Sequence, residues 1–244
     1  MTTGSHAGSE ILLADVVFLT QWNPATRLAA PWPRGQGKQG SFDAVIQAAV
    51  LADLVGGGHA ALQSKSLSDS TEITAVATAV EPAHPLLHTA WVSLANQKSH
   101  ALRRQLIWLE TRMSGRAVEL GLIDRRREAP FDDFLTESGK ATAAKTRAEL
   151  VAWAKRDDVD ASAAARGRES IPATSDLSAD SRALAALLLE GDVWARVWPG
   201  LSADEYDRVN SRLHLARNES LSEARAHWDV ILRQLAELTT PTMG

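Results

Sequence analysis

Apolar residues recur every three or four positions through most of the chain, and this spacing constrains the fold more than any other feature. The most regular stripe lies near the C-terminus and consists of Leu221, Ala224, Trp228, Ile231, Leu235 and Leu238. A stripe of this kind covers one face of a helix, which is stable only when it packs against other helices. The sequence therefore predicts a mainly α protein, with a helical bundle core, surrounding amphipathic helices and one or two small β-hairpins.

Two Ser-x-x-Glu patterns predict where C-terminal helices begin. Ser202 is followed by Glu205, and Ser220 by Glu223. In this capping box the two side chains bond the backbone amides that a helix start leaves unpaired. We expect one helix to begin at Ser202 and another at Ser220.

In the middle of the chain, the spacing of apolar residues changes from every three or four positions to every second position. A helix is predicted to begin at Ser41 and to end at three consecutive glycines, 56–58, because glycine disfavours the continuation of a helix. The segments 59–66 and 71–78 then flank a polar turn, and the alternation of the second segment predicts a hairpin. A second short hairpin or polar loop is expected between Asp124 and Gly139.

A long helix is predicted from Ser99 to Gly121, after a helix that starts at Pro85. Its apolar residues step by three or four and define a face toward the core: Leu102, Leu106, Leu109, Met113, Ala117 and Leu120. The arginines fall on the other side. Because the spacing is maintained throughout, we expect one continuous helix.

One domain is expected over residues 9–239 of this 244-residue chain, with a flexible N-terminus at 1–8 and a flexible tail at 240–244. Residues 157–180 are weakly patterned and predict a loop. No cysteine is present, and the apolar stretch 11–19 is too short to cross a bilayer, so a cytoplasmic protein is expected.

No pattern of catalytic residues stands out. The tightest histidine pair, His84 and His88, flanks Pro85, which is poor geometry for two metal ligands on one helix face. The glycine clusters lack the context of a phosphate loop or a dinucleotide fingerprint. We therefore expect a binding protein with no enzymatic activity, no metal and no cofactor.

Positive charge is concentrated in one segment. The chain has a net charge of -4, whereas Lys98 to Arg127 has eight basic and three acidic residues, a local +5. Within it, three arginines and a tryptophan follow at intervals of four: Arg104, Trp108, Arg112 and Arg116. Guanidinium groups bind phosphates, and tryptophan favours the boundary between apolar and aqueous surroundings. These residues, with Trp32 and Arg34 from a proline-flanked loop, predict a site for anionic lipid head groups or phosphate.

A different interpretation is a helical module that binds a protein partner without binding lipid. Trp194 and Trp198, four residues apart, are its candidate anchors, although core packing is the commoner fate of such a pair. Nucleic acid is not expected as a partner, because the rest of the chain carries a net charge of -9 and repels a phosphate backbone.

Several segments, in order, resemble the Golgi phosphoprotein 3 family, and the chain is similar to its shorter bacterial-type members. The segments that carry the resemblance are ILLADVVFL, AAVLADLVGGGHAAL, HPLLHTAW, RRQLIWLETRMSGRAVELGLID and RALAALLLEGDVWARVWPGLSADEYDRVNSRL. The resemblance implies a helical bundle with small hairpins. It also implies a peripheral membrane protein, since eukaryotic members bind phosphatidylinositol 4-phosphate.

The family's lipid-binding residues are only partly present. By position, the helix arginine falls on Gln47 and the arginine pair on Ile107 and Glu110, while Arg112 matches an arginine one turn further on. The family's loop tryptophan falls near Lys38, unless Trp32 replaces it. Isoleucine and glutamate cannot supply paired donors to a phosphomonoester. We expect anionic-lipid binding at the inner face of the membrane without specific phosphatidylinositol 4-phosphate recognition.

Overall fold

A computed structural model describes residues 11–22, 39–66, 71–97, 101–109, 111–125, 133–155, 177, 179–194, 202–223 and 226–239. The described chain is mainly helical with small antiparallel hairpins, which confirms the predicted fold class. The helices are α1 (Leu13–Leu19), α2 (Gln39–Gly56), α3 (Pro85–Asn96), α4 (Leu102–Trp108), α5 (Met113–Glu119), α6 (Glu137–Lys155), α7 (Ala179–Glu190), α8 (Ala203–Glu223) and α9 (Ala226–Thr239). The strands are β1 (Ala60–Ser66), β2 (Thr71–Ala77), β3 (Ile123–Arg125) and β4 (Asp133–Leu135).

Helix α2 forms the centre of the bundle. It packs against α1, α3, α4, α7 and α9, and against strand β1. Its side chains are buried on nearly every side, including Phe42, the run 44–52 and Leu54. A helix that is apolar all round is stable only when it is enclosed. The bundle is therefore built around α2.

The predicted hairpin is present, and of the two alternatives for residues 124–139 the structure has a short hairpin. Strands β1 and β2 pair antiparallel over their whole length, with Ala60 opposite Ala77 and Ser66 opposite Thr71. Strands β3 and β4 pair over three residues each, with Ile123 opposite Leu135. Helix α3 and helix α4 both contact β2, so the first hairpin lies beside the start of the predicted basic helix.

Glycines end α2 and α5 as their positions predict. Gly58 has a φ of 76° and Gly121 a φ of 66°, a region that costs glycine little. At α2 the N–H of His59 donates to the carbonyl of Leu54 at 2.8 Å, and Gly58 donates to Val55 at 3.1 Å. This is the Schellman arrangement, which satisfies the last carbonyls of a helix.

One of the two predicted capping boxes is correct. The N–H of Ser202 donates to Glu205 Oε2 at 3.0 Å, and the Glu205 N–H donates to Ser202 Oγ at 3.4 Å, directly before α8. The prediction at Ser220 is wrong, because α8 continues through Glu223 and α9 begins at Ala226. A local Ser-x-x-Glu pattern cannot show whether the preceding helix has ended.

The prediction of one continuous helix from Ser99 to Gly121 is also wrong. Helix α4 ends at Trp108 and α5 begins at Met113. The core stripe is nevertheless buried from Leu102 to Ala117, although Leu120 is only partly buried. The apolar spacing therefore predicted correctly which residues are buried, but it did not predict that the helix is interrupted.

Some predictions fall outside the described residues. They are Trp32 and Arg34, Trp198, most of the 157–180 loop, and the terminal segments 1–8 and 240–244. Among the described helices, none has both the length and the apolar character that crossing a bilayer requires.

Candidate functional site

A glutamine of the central helix α2 forms hydrogen bonds with the backbone at the break between α4 and α5. Gln47 is buried, and its Nε2 donates to the backbone carbonyl of Leu109 at 3.1 Å and to that of Ile107 at 3.3 Å. The last carbonyls of a helix have no partner inside the helix and need one from elsewhere. Gln47 therefore fixes the C-terminal end of α4 against α2.

The break divides the predicted stripe into parts with different surroundings. Arg104, Trp108 and Arg112 are exposed, whereas Arg116 is only 8% exposed. The four residues do not form one surface. The structure thus keeps the first three as candidates for binding and places the fourth in the interior.

Helix α4 presents one exposed and one buried face. Its exposed face carries Arg103, Arg104, Ile107 and Trp108, which neighbour one another at helical spacing. Ile107 is 52% exposed and Trp108 54% exposed. With Arg112, exposed just beyond the helix, these residues form what we call the α4 surface.

Large exposed apolar side chains beside cations are the distinguishing property of the α4 surface. Ile107 and Trp108 follow Arg103 and Arg104 by one helical turn, so apolar and cationic groups lie next to each other on the exposed face. Tryptophan and arginine both combine an apolar body with a polar tip. The surface can therefore contact an apolar layer and an anionic layer at the same time.

Arg116 has a structural partner that the sequence did not reveal. Its Nε donates to Asp15 Oδ1 at 2.8 Å, and its Nη2 donates to Asp15 Oδ2 at 2.8 Å. Asp15 is 1% exposed and also accepts from the N–H of Leu12 at 2.9 Å. A bidentate pair of this kind joins α5 to the start of α1 and makes Arg116 unsuitable for an exposed lipid site.

Among the described non-glycine residues, only Arg112 and Asp192 have a positive φ. Its φ is 21° and its ψ is 39°, immediately before α5. This conformation is costly for a residue with a Cβ. The turn places the Arg112 side chain at the surface while the chain redirects Arg116 inward.

The tryptophan proposed as a protein-binding anchor belongs to the core. Trp194 is 2% exposed, and its ring centroid lies 4.4 Å from that of Tyr206 at the start of α8. An anchor for a partner protein has to be accessible on the free surface. Of the two predicted anchors, Trp194 therefore does not serve that role, and Trp198 lies outside the described residues.

The two histidines of the pair have different surroundings. His84 is buried at the N-terminal end of α3, whereas the ring of His88 lies 2.5 Å from Glu81. Across the described ranges, no group of three or more metal-binding side chains occurs.

Two glutamines are buried at positions where the sequence pattern did not predict a structural role. Gln47 lies within the buried run of α2, and Gln105 lies on the buried face of α4 beside Leu106. The available signal was a polar side chain inside an apolar stripe, because such a group must find hydrogen bonds in the core. Gln47, where the sequence resemblance would place an arginine, donates to the main chain instead of facing solvent.

Comparison with known proteins finds no family model that matches the chain and no curated protein that is significantly similar to it. The resemblance to the Golgi phosphoprotein 3 family therefore stays a prediction from the sequence.

Proposed function

We propose that the protein binds peripherally to the anionic, inner face of a membrane through the α4 surface. The observation that carries the proposal is the exposed pair Ile107 and Trp108 beside exposed Arg103, Arg104 and Arg112. An interfacial helix of this kind buries apolar side chains at the boundary of the acyl chains while its cations meet the phosphates.

The geometry favours a surface contact over a pocket for one head group. Gln47 and Ile107 stand where the resemblance implies arginines, and the Gln47 amide is bonded to the α4 carbonyls. A phosphomonoester needs several convergent donors. The remaining exposed arginines instead offer charge to any anionic lipid, so lipid charge should matter more than head-group identity.

Vesicle co-sedimentation tests the proposal. We expect the protein to sediment with vesicles of phosphatidylserine in phosphatidylcholine, and not with phosphatidylcholine alone. Raising the salt concentration should weaken the binding, because salt screens exposed charges. Inositol phosphate head groups at equal surface charge should give binding similar to that of phosphatidylserine.

A charge-matched pair of variants assigns the binding to α4. Arg103→Ser/Arg104→Ser removes two exposed cations and should lower the partition coefficient roughly 30-fold, at about 1 kcal/mol per arginine. Lys140→Ser/Lys145→Ser removes the same charge from α6 and should change the partition coefficient by less than about threefold.

Two results would overturn the proposal. One is negligible sedimentation with both kinds of vesicle. The other is equal loss of binding in the α4 and α6 variants, which would mean that net charge alone governs it. In the first case, the exposed Ile107 and Trp108 would be better explained as contacts for a protein partner.

A further inference from the structure

A cleft of about 500 Å³ lies between strand β2 and helix α3. Residues 74–79 form one wall, Trp91, Leu94 and Ala95 form the other, and Gln97 and Gln105 also line it. This volume lies within the range of small-molecule sites. Since no titratable side chain is among these lining residues, the cleft is suited to an uncharged ligand.

Gln105 shows how a carboxamide binds to this edge of β2. The N–H of Ala75 donates to Gln105 Oε1 at 2.7 Å, and Gln105 Nε2 donates to the Ala75 carbonyl at 2.9 Å. The side-chain amide thus occupies the place that a peptide group of a third strand would take. It also closes the edge at Ala75, so a long peptide strand cannot pair along β2.

The next equivalent position on the edge is Ala77. Thr78 N–H donates to the carbonyl of His59 at 2.8 Å on the β1 side. Because N–H and C=O groups alternate between the two sides of a strand, those of Ala77 face the same edge as those of Ala75. No hydrogen bond to the Ala77 backbone is found on this edge within the described part of the chain.

Gln97 supplies an acceptor that lacks a donor. Its Oε1 is buried and has no hydrogen-bond partner among the described residues, while its Nε2 lies 3.5 Å from Ser93 Oγ. A buried acceptor without a donor is unfavourable, so a turn of the Gln97 side chain that brings Oε1 to a ligand N–H in the cleft is favoured.

We propose that this cleft binds small, uncharged molecules that carry a primary carboxamide on a flat aromatic group. The carboxamide oxygen accepts from the Ala77 N–H, one amide hydrogen is donated to the Ala77 carbonyl, and the second to Gln97 Oε1. The flat group packs against Trp91, whose indole N–H is bonded to the Thr78 carbonyl at 3.2 Å.

Ligand-observed NMR titration with benzamide tests the hydrogen-bond pattern. Benzamide should bind at least about tenfold more tightly than N,N-dimethylbenzamide, which has no amide hydrogen, and than benzoate, which is charged. Equal or tighter binding of either analogue would overturn the proposal. So would the absence of any benzamide binding.

Two variants with matched controls locate the binding. Gln97→Leu removes the unpaired acceptor and should weaken benzamide binding about fivefold, and Ala95→Trp fills the cleft and should abolish it. The controls Gln63→Leu and Asn96→Trp change exposed residues that do not line the cleft. Unchanged binding in both cleft variants, or equal loss in the controls, would refute the assignment.

A thermal unfolding midpoint for each variant establishes that it is folded. If Ala95→Trp does not fold, Gln97→Leu against Gln63→Leu decides the question. Failure of benzamide to bind would leave the membrane proposal intact, because the α4 surface and the cleft share no residue.

Discussion

Helices α4 and α5 both carry arginines of one regularly spaced series, but these arginines lie in opposite environments. On α4, Arg103 and Arg104 are exposed next to exposed Ile107 and Trp108. On α5, Arg116 is buried and bonded through two nitrogens to Asp15. Arginines at regular helical spacing can therefore lie at the surface or in the core, and the break of the backbone between α4 and α5 decides which environment each one has.

The largest difference between the two helices should be in stability. Arg116→Ala leaves the Asp15 carboxylate buried without its partner, and should lower the free energy of unfolding by about 3–5 kcal/mol. Arg104→Ala removes an exposed group and should change it by less than about 0.5 kcal/mol. Urea unfolding of both variants measures the contrast, and similar small losses would show that the pair contributes little.

The interaction energy between Asp15 and Arg116 can be measured separately from the stability that each residue contributes. Asp15→Ala alone also loses the bond to the N–H of Leu12, so each single variant is expected to be destabilised. Once one partner is absent, removing the other should cost less, with an interaction energy of about 1–3 kcal/mol in a double-mutant cycle. Additive losses would contradict the bidentate pair.

Two tryptophans show the same contrast between a buried and an exposed residue. Trp194→Ala removes a buried ring that packs against Tyr206, and should cost about 3–5 kcal/mol of stability. Trp108→Ala, at a residue that is 54% exposed, should cost less than about 1 kcal/mol but weaken vesicle binding about tenfold. Unfolding and sedimentation of the same two variants separate core packing from membrane contact.

The smallest expected effect is at the turn between the two helices. Arg112 has a φ of 21°, which glycine adopts at lower cost. Arg112→Gly should therefore raise the free energy of unfolding by about 0.5–1 kcal/mol while it weakens binding to anionic vesicles. A loss of stability would mean that the arginine side chain contributes more than the strain of its backbone.

The fold class was predictable because helical periodicity and turn signals are local. The first hairpin, the helix start at Pro85 and the ends at Gly58 and Gly121 all depend on residues within a few positions. The break after Trp108 was not predictable in this way. Residues 109–112 contain neither proline nor glycine, and Gln47, whose side-chain amide donates to the carbonyls at the end of α4, is about 60 positions away.

The candidate site was predictable only in part for the same reason. Charge and spacing identified Arg104, Trp108 and Arg112, which the structure exposes. They also selected Arg116, whose partner Asp15 lies 101 positions earlier. No local pattern links these two residues, and the charge of an arginine gives no information on whether its partner is a lipid or a carboxylate.

The most direct test of the membrane proposal is the environment of residue 107 on vesicles. The chain has no cysteine, so Ile107→Cys accepts a single polarity-sensitive fluorophore, and Lys145→Cys on α6 is the matched exposed control. We predict a blue shift and increased emission for the label at 107 with phosphatidylserine vesicles, no shift with phosphatidylcholine, and no shift at 145. An unshifted label at 107 on vesicles that have bound the protein would contradict the assignment of the membrane contact to α4.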